Sequence, residues 1–472
     1  MNQSLLRALR LSPSSVVALV GAGGKTTALY QLGKEYRQTQ ASVVLLTTTT
    51  HLGYEQALAT DQHIIHQGNL EATLKQIRSA EGLICLTGEW DEETQRWKGI
   101  EPEHLQPIAG FMKEQNLPLL IEADGARGRL LKAPAAHEPL IPDFCEHVVV
   151  VAGLTAIGKP LSEAWVHRPK LFAELSGIEI HATISSEAVH HVLCHPLGGR
   201  KNIPATARSH VLLTHAETTT AQADAKKLCL PFLRLYDSVV VVVKEKTAPL
   251  NVNSQDETPL ASGDFQSPYR LVAVHEPIAG VVLAAGASSR FGKPKPLLLW
   301  QGETLVRRAA RLALETNLQP VIVVCGAEGE QVAASLQDLP VQIVQNDDWQ
   351  QGQSTSIKAA LGVLGDSGGG AIFLLVDQPF ISQPLLRALV ERHAQTLAAI
   401  VAPIVGDRRT NPVLFDRETF ADLSRIEGDV GGRAIFARYQ LEWLLWHDEK
   451  LPFDLDTPQD YQKLLEQDES NA

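Results

Sequence analysis

Cysteine is scarce in this chain. Its five cysteines, Cys85, Cys145, Cys194, Cys229 and Cys325, are scattered over 472 residues without a paired metal-ligand spacing. That excludes a disulfide framework and a cysteine-built zinc site, and it sets the expectation of a reducing, cytoplasmic setting. Long apolar runs are missing too. Those near Val148 and Val239 are too short to cross a bilayer, and Met1 to Leu11 holds neither a continuous apolar core nor a cleavage signature, so no membrane partner and no secretory leader are expected. Positive charge is in deficit: the formal net charge is −12. No basic face is left for a polyanion, which argues against nucleic acid, although a few local cations can still hold a small nucleotide. There is no short internal repeat, and Gly368 to Gly370 reads as a turn before a strand.

What is present is ordinary globular material, 44% hydrophobic and 20% charged. At this length one core does not usually serve the whole chain, so two domains are expected. In the first half short apolar runs alternate with helical stretches: Val16 to Val20, Val43 to Thr47, Gly82 to Leu86, Leu119 to Glu122, Val148 to Val151, Val211 to Leu213 and Val239 to Val243 read as buried parallel strands, with helices such as Thr26 to Arg37 and Ala221 to Leu228 between them. The pattern lapses from about Glu245 to Pro277, where Pro, Asn, Ser and Thr gather, and restarts at Gly280 to Ala284, Val321 to Val324, Val341 to Val344, Ala371 to Val376 and Ala399 to Pro403. The expected fold class is therefore α/β, with two doubly wound domains at 1–245 and 278–472 joined by a linker at 246–277.

The most informative stretch is Leu283-Ala284-Ala285-Gly286-Ala287-Ser288-Ser289-Arg290-Phe291-Gly292-Lys293-Pro294-Lys295-Pro296. A strand ends in small residues that let backbone amides approach phosphate oxygens, and Arg290 and Lys295 can neutralise a triphosphate. It is not a Walker A loop, since no Gly-Lys-Ser/Thr opens a helix, and it lacks the dinucleotide fingerprint. Asp377 follows a buried strand, where ligands gather in open α/β sheets. Asp454 and Asp456, two apart in an extended segment, turn their carboxylates to one face. The competing readings are helix capping: Asp377 before a helix at Ser382 to His393, and Asp456 or Thr457 before the final helix at Pro458.

From about Ala279 to Leu465 the chain resembles the MobA-like nucleotidyltransferases that include molybdenum cofactor cytidylyltransferase and its guanylyl relatives. The likeness rests on that opening, on Asn346-Asp347 with Trp349, Gly352 and Ser354, and on Val376-Asp377-Gln378-Pro379. It continues through Asn411 to Phe415, Gly428-Asp429-Val430-Gly431 and Asp454-Leu455-Asp456-Thr457-Pro458. The resemblance implies a Rossmann-like nucleotidyltransferase domain with its nucleotide on Leu283, Ala284, Ala285, Gly286 and Lys295. It further implies Mg²⁺ on Asp377 and Asp456, and Lys295, Arg290 and Asp377 in catalysis. The Ala-Ala-Gly opening goes with CTP and cytidylyl transfer to molybdenum cofactor. The loop, Lys295 and Asp377 would serve a sugar- or polyol-phosphate nucleotidyltransferase equally, though the accessory-like first half argues against it. The other alternative is a carrier that holds the cofactor without turnover, against which the retention of Arg290, Lys295, Asp377 and Asp456 argues. Asn346, Ser354 and Asn411 read equally as ligand-facing or turn residues.

In the first half, the strand Val16 to Val20 runs into Gly21-Ala22-Gly23-Gly24-Lys25-Thr26-Thr27 and a helix. Gly21, Gly23, Gly24, Lys25 and Thr26 are the parts of a phosphate cradle, P-loop-like but shortened, since the strict pattern wants glycine where Leu19 stands. Glu122 and Asp124 end another buried strand, as a metal-holding pair would. With Thr47 to His51, Lys132-Ala133-Pro134 and His137-Glu138-Pro139, this order resembles the selenium-dependent hydroxylase accessory proteins of the YqeC type over about Ser14 to Val243. That implies a role in maturing a molybdenum hydroxylase as recipient. His190, His191 and His195 read as a polar helix face rather than a metal site.

Overall fold

The computed structural model describes residues 4–39, 41–245, 269–286 and 291–469. It divides into two compact units, Met1–His275 and Glu276–Ala472.

The first unit is built on nine strands: β1 (Val16–Gly21), β2 (Val43–Thr48), β3 (Gln62–Ile65), β4 (Gly82–Thr87), β5 (Leu119–Glu122), β6 (His147–Gly153), β7 (Arg208–Thr214), β8 (Ser238–Lys244) and β9 (Tyr269–His275). Their order across the sheet is β9-β8-β7-β6-β1-β5-β2-β4-β3. All pairings are parallel except the last strand on β8. The central strands are buried along their whole length, which is why each reads as an unbroken apolar run. Helix Lys25–Gln38 buries Ala28, Leu29, Leu32 and Tyr36, and helices Pro102–Glu114, Ser186–Cys194 and Thr219–Phe232 contribute Ile108, Val189 and Leu228 to one large core cluster.

The stretch expected as a linker, 246–277, ends differently. Tyr269–His275 is a strand of the first sheet, antiparallel to β8, and residues 246–268 lie outside the described residues. Tyr269 is fixed by both of its backbone groups, accepting from the Gln31 amide at 3.2 Å and donating its N–H to Gln31 Oε1 at 3.0 Å. Its polar–apolar alternation is that of an edge strand, a weaker signal than the continuous runs beside it. The edge strand Gln62–Ile65, with one fully buried residue, is faint for the same reason.

The second unit has β10 (Ile278–Ala284), β11 (Val321–Cys325), β12 (Gln342–Gln345), β13 (Gly370–Leu375), β14 (Ile400–Val405), β15 (Arg408–Arg409), β16 (Val413–Asp416) and β17 (Leu441–Leu445). The order is β12-β11-β10-β13-β16-β14-β15, with β17 parallel to β14. Here the doubly wound expectation is corrected in one respect: the sheet is mixed, because β16 runs antiparallel to both β13 and β14. The hairpin at Gly406, which has φ 56°, turns the chain straight back after β14, so the next strand re-enters reversed instead of crossing over through a helix. Core packs on both faces, against helix Gln353–Leu364 on one side and helices Leu305–Glu315 and Gln383–Thr396 on the other.

Because β9 buries Tyr269, Leu271 and Val274 on the first sheet, a fragment ending at residue 275 should unfold at a midpoint roughly 5 °C or more above one ending at residue 245. Equal midpoints in thermal denaturation would show that β9 adds nothing to that unit.

Candidate functional site

In the first unit the loop after β1 is shaped by three glycines in the left-handed region, Gly21 (φ 93°), Gly23 (φ 86°) and Gly24 (φ 126°). A Cβ at Gly21 would fall 2.3 Å from the Val151 carbonyl oxygen, and one at Gly24 only 1.9 Å from the Tyr269 hydroxyl, so the backbone packs where no side chain fits. Thr214 ties the loop to β7 by donating to the Gly23 carbonyl at 2.5 Å. The five cradle residues are contiguous with Glu122 and Asp124: Lys25 donates to the Gly21 carbonyl at 2.9 Å and lies 3.2 Å from Asp124 and 3.8 Å from Glu122. Thr26 donates to Glu122 at 3.1 Å, and the Gly21 N–H donates to Asp124 at 3.0 Å.

This pairing extends further. Lys132 bridges Asp124 at 2.8 Å and Glu138 at 2.7 Å, and Arg168 grips Glu138 through two bonds of 2.7 and 3.0 Å. The result is an alternating chain of charges, Lys25–Asp124–Lys132–Glu138–Arg168, buried apart from Arg168. Burial pushes the Glu122 carboxyl up, with Lys25 opposing. Burial also pushes Glu138 up, but hydrogen bonds from Arg168 and Lys132 outweigh it and hold its pKa at about 2. Lys132, Glu138 and Arg168 had no role assigned from sequence; their signal is a recurring pattern, a charged residue just before or within a proline-terminated triplet. His190 and His191 touch ring to ring at 5.8 Å, and no group of three candidate metal ligands occurs among the described residues.

In the second unit Leu283, Ala284 and Ala285 close the central strand in buried positions and Gly286 is exposed. Arg290 lies outside the described residues. Lys295 opens a short 3₁₀ turn and reaches Asp377 at 3.6 Å and Asp456 at 3.2 Å. Asp377 stands just past β13, and burial raises its carboxyl, opposed by Lys295 and reinforced by Asp454 and Asp456. The 454–456 segment is held in place by the Leu455 N–H on the Asp377 carbonyl at 2.9 Å and by the Gln378 amide on Asp454 at 2.7 Å. Asp377, Asp454 and Asp456 line a cleft of roughly 360 Å³ whose walls include Leu283, Phe373, Asn411, Phe415 and Arg433.

The capping readings resolve by geometry. Ser382 precedes helix Gln383–Thr396, not Asp377. At the last helix Thr457 and Asp460 exchange bonds in capping fashion, which leaves Asp456 to Lys295. Of the three ambiguous residues, Asn346 is spent internally on Thr355 and Ser356, Ser354 is buried, and Asn411 lines the cleft. The Gly428–Gly431 motif docks on Gly352, whose φ is 111° and where a Cβ would fall 2.5 Å from the Asp429 nitrogen. Arg433, two residues beyond that motif, was not singled out from sequence; the glycine pair just before it is the available signal.

Residues 17–170 match the family described as YqeC protein, and residues 280–443 match the MobA-like NTP transferase domain. The Escherichia coli (strain K12) "Uncharacterized protein YqeC" is 32% identical over 199 residues, covering 41% of this chain and 73% of that protein. The "Nicotine blue oxidoreductase" of Paenarthrobacter nicotinovorans is 34% identical over 204 residues, 40% of this chain and 96% of that protein. The protein named "Probable molybdenum cofactor guanylyltransferase" in Bacillus cereus (strain Q1) is 29% identical over 131 residues, 28% of this chain and 64% of that protein. The second unit is a nucleotidyltransferase, and the chain belongs to the YqeC family through its first unit and to the MobA-like NTP transferase family through its second.

Proposed function

We propose that the second unit transfers CMP from CTP to molybdenum cofactor with release of pyrophosphate, and that the first unit binds a nucleotide in support of molybdenum hydroxylase maturation. The observation that carries the first clause is Lys295 set between Asp377 and Asp456, two of the acids that line the cleft. An acceptor phosphate oxygen attacks the α-phosphorus of CTP; the new P–O bond forms as the bond to the pyrophosphate oxygen breaks. Lys295 neutralises charge gathering on the α-phosphoryl group and Arg290 meets the outer phosphates. Asp377 and Asp456 form a hard oxygen donor set that already shares one cation, Lys295. They would hold Mg²⁺, which when bound supplies further charge neutralisation to the triphosphate.

The base choice rests on Ala285, whose Ala-Ala-Gly context accompanies cytidylyl transfer in the resembled family. The similarity to a guanylyltransferase supports the acceptor, as does fusion to a YqeC unit, which disfavours a sugar- or polyol-phosphate acceptor. The likeness to an oxidoreductase supports a second reading, in which the cleft holds a nucleotide-linked redox cofactor and cleaves nothing. For the first unit the support is the glycine-shaped loop with Lys25 and Thr26 facing Glu122 and Asp124.

Purified protein given Mg²⁺ and molybdenum cofactor should release pyrophosphate with CTP in preference to GTP, ATP or UTP, and chelation of the metal should abolish release. Preference for GTP would overturn the use of Ala285, and no release with any nucleotide would favour the redox or carrier reading. Lys295→Ala should lower turnover by roughly 100-fold or more without loss of fold.

Lys25→Ala should weaken nucleotide binding in the first unit and also cost about 3–5 kcal/mol of stability, since it strips a buried acid pair of a cation. Calorimetry and thermal unfolding measure the two effects, and unchanged nucleotide titrations would remove the loop from binding.

A further inference from the structure

The cleft of the second unit is unevenly charged. Among the described residues that line it, the acids Asp377, Asp454 and Asp456 face a single cation, Arg433. Lys295 is engaged with Asp377 and Asp456, and Gln378 with Asp454. Arg433 is exposed and makes no hydrogen bond or ion pair among the described residues. An arginine with its donors free, lining a cleft whose other charged residues are acidic, contributes nothing evident to folding; its five N–H groups are available to a ligand.

The backbone that presents it is well fixed. Gly428–Gly431 is tied to the start of helix Gln353–Leu364, where the Ser354 N–H donates to the Gly428 carbonyl at 3.3 Å and the Gln353 N–H to Asp429 at 3.4 Å. At Gly432 a Cβ would fall 2.3 Å from the Phe415 ring, and that ring is itself buried in the core of this unit. Glycine therefore lets the chain lie directly on the ring as it enters the 3₁₀ turn Gly432–Arg438, and the residue that follows is delivered to the cleft wall. Such placement from rigid support is what a binding side chain requires.

Resting on the proposed transfer reaction, we infer that Arg433 binds the phosphomonoester of the acceptor. The acceptor's phosphate must enter a cleft whose other lining charges are negative, and a guanidinium matches a phosphate through two parallel hydrogen bonds that a lysine cannot reproduce. Arg433 thus separates the acceptor's anion from that of the nucleotide, which has Lys295 and the strand-end loop, and it orients one phosphate oxygen for attack without taking part in bond breaking.

The test uses the full chain in two measurements. In steady-state transfer, Arg433→Ala should raise KM for molybdenum cofactor roughly tenfold or more and leave KM for CTP within about twofold, with Arg433→Lys intermediate. A rise in KM for CTP, or no rise for the acceptor, overturns the inference. Equilibrium dialysis with molybdenum cofactor alone, without nucleotide, decides the matter independently of turnover. Retention by wild type that Arg433→Ala loses sustains the inference even if no nucleotide is transferred, in which case only the transfer reading falls. Retention indifferent to Arg433, or none by wild type, overturns it. As an exposed residue without partners, Arg433 can be replaced at little cost to stability, and matching unfolding midpoints will verify that.

Discussion

A carboxylate buried at the end of a central strand cannot remain ionised without a nearby cation or a full set of hydrogen bonds. The first unit meets this constraint at Glu122 and Asp124, and the second repeats the arrangement around the half-buried Asp377. In each, the loop that follows the first strand of a parallel pair supplies a lysine, and the neighbouring strand supplies the acid. Lys25 follows β1 and answers Glu122 and Asp124 at the end of β5; Lys295 follows β10 and answers Asp377 at the end of β13. Parallel strands place their carboxyl ends side by side, so the loop of one and the acid of the next are brought together by topology alone.

Glycine does the complementary work. At Gly21, Gly24, Gly352 and Gly432 a single methyl group would collide with a carbonyl, a hydroxyl, a backbone nitrogen and a phenyl ring respectively. In each case the glycine brings two segments distant in sequence close enough for one to hold the other. Tyr269, on the last strand of the first unit, packs against Gly24 and bonds Gln31 on the same loop-helix element. The glycine-shaped loop is thus supported from a strand 245 residues away, a support that is out of reach of any local motif.

Much of the fold was legible because fully buried parallel strands read as apolar runs, and all seven in the first half occur as expected. What was missed lies where one side of a strand is exposed or the chain reverses: Gln62–Ile65, Tyr269–His275, Arg408–Arg409, the antiparallel Val413–Asp416 and Leu441–Leu445. Alternating or short segments carry too little hydrophobic signal to stand out from loops. At the site, motifs identified Lys295, Asp377 and Asp456 because a short strand-to-loop grammar places them. Capping and ligation could not be separated for Asp456 until Thr457 and Asp460 were seen to cap each other. Lys132, Glu138 and Arg168 share a placement in proline-terminated triplets, but that pattern does not show that they pair with one another across the fold.

Charge balance then separates the two sites. In the first unit Lys25, Lys132 and Arg168 are matched by Glu122, Asp124 and Glu138, each within an ion pair, so the set neutralises itself, and an anionic ligand must compete for Lys25 with acids already holding it. Among the described residues of the second unit, three aspartates line a cleft with one unpaired arginine, and one lysine is shared by two of the acids. That set is short of positive charge before any triphosphate arrives, and a triphosphate deepens the deficit. For the proposed transfer, Asp377 and Asp456 would hold a divalent cation that supplies positive charge for phosphorylated substrates, whereas the charges of the first site are already balanced by its own side chains. The same strand-end arrangement therefore yields a self-compensated cluster in one unit and, among the described residues, one with acids in excess of cations in the other.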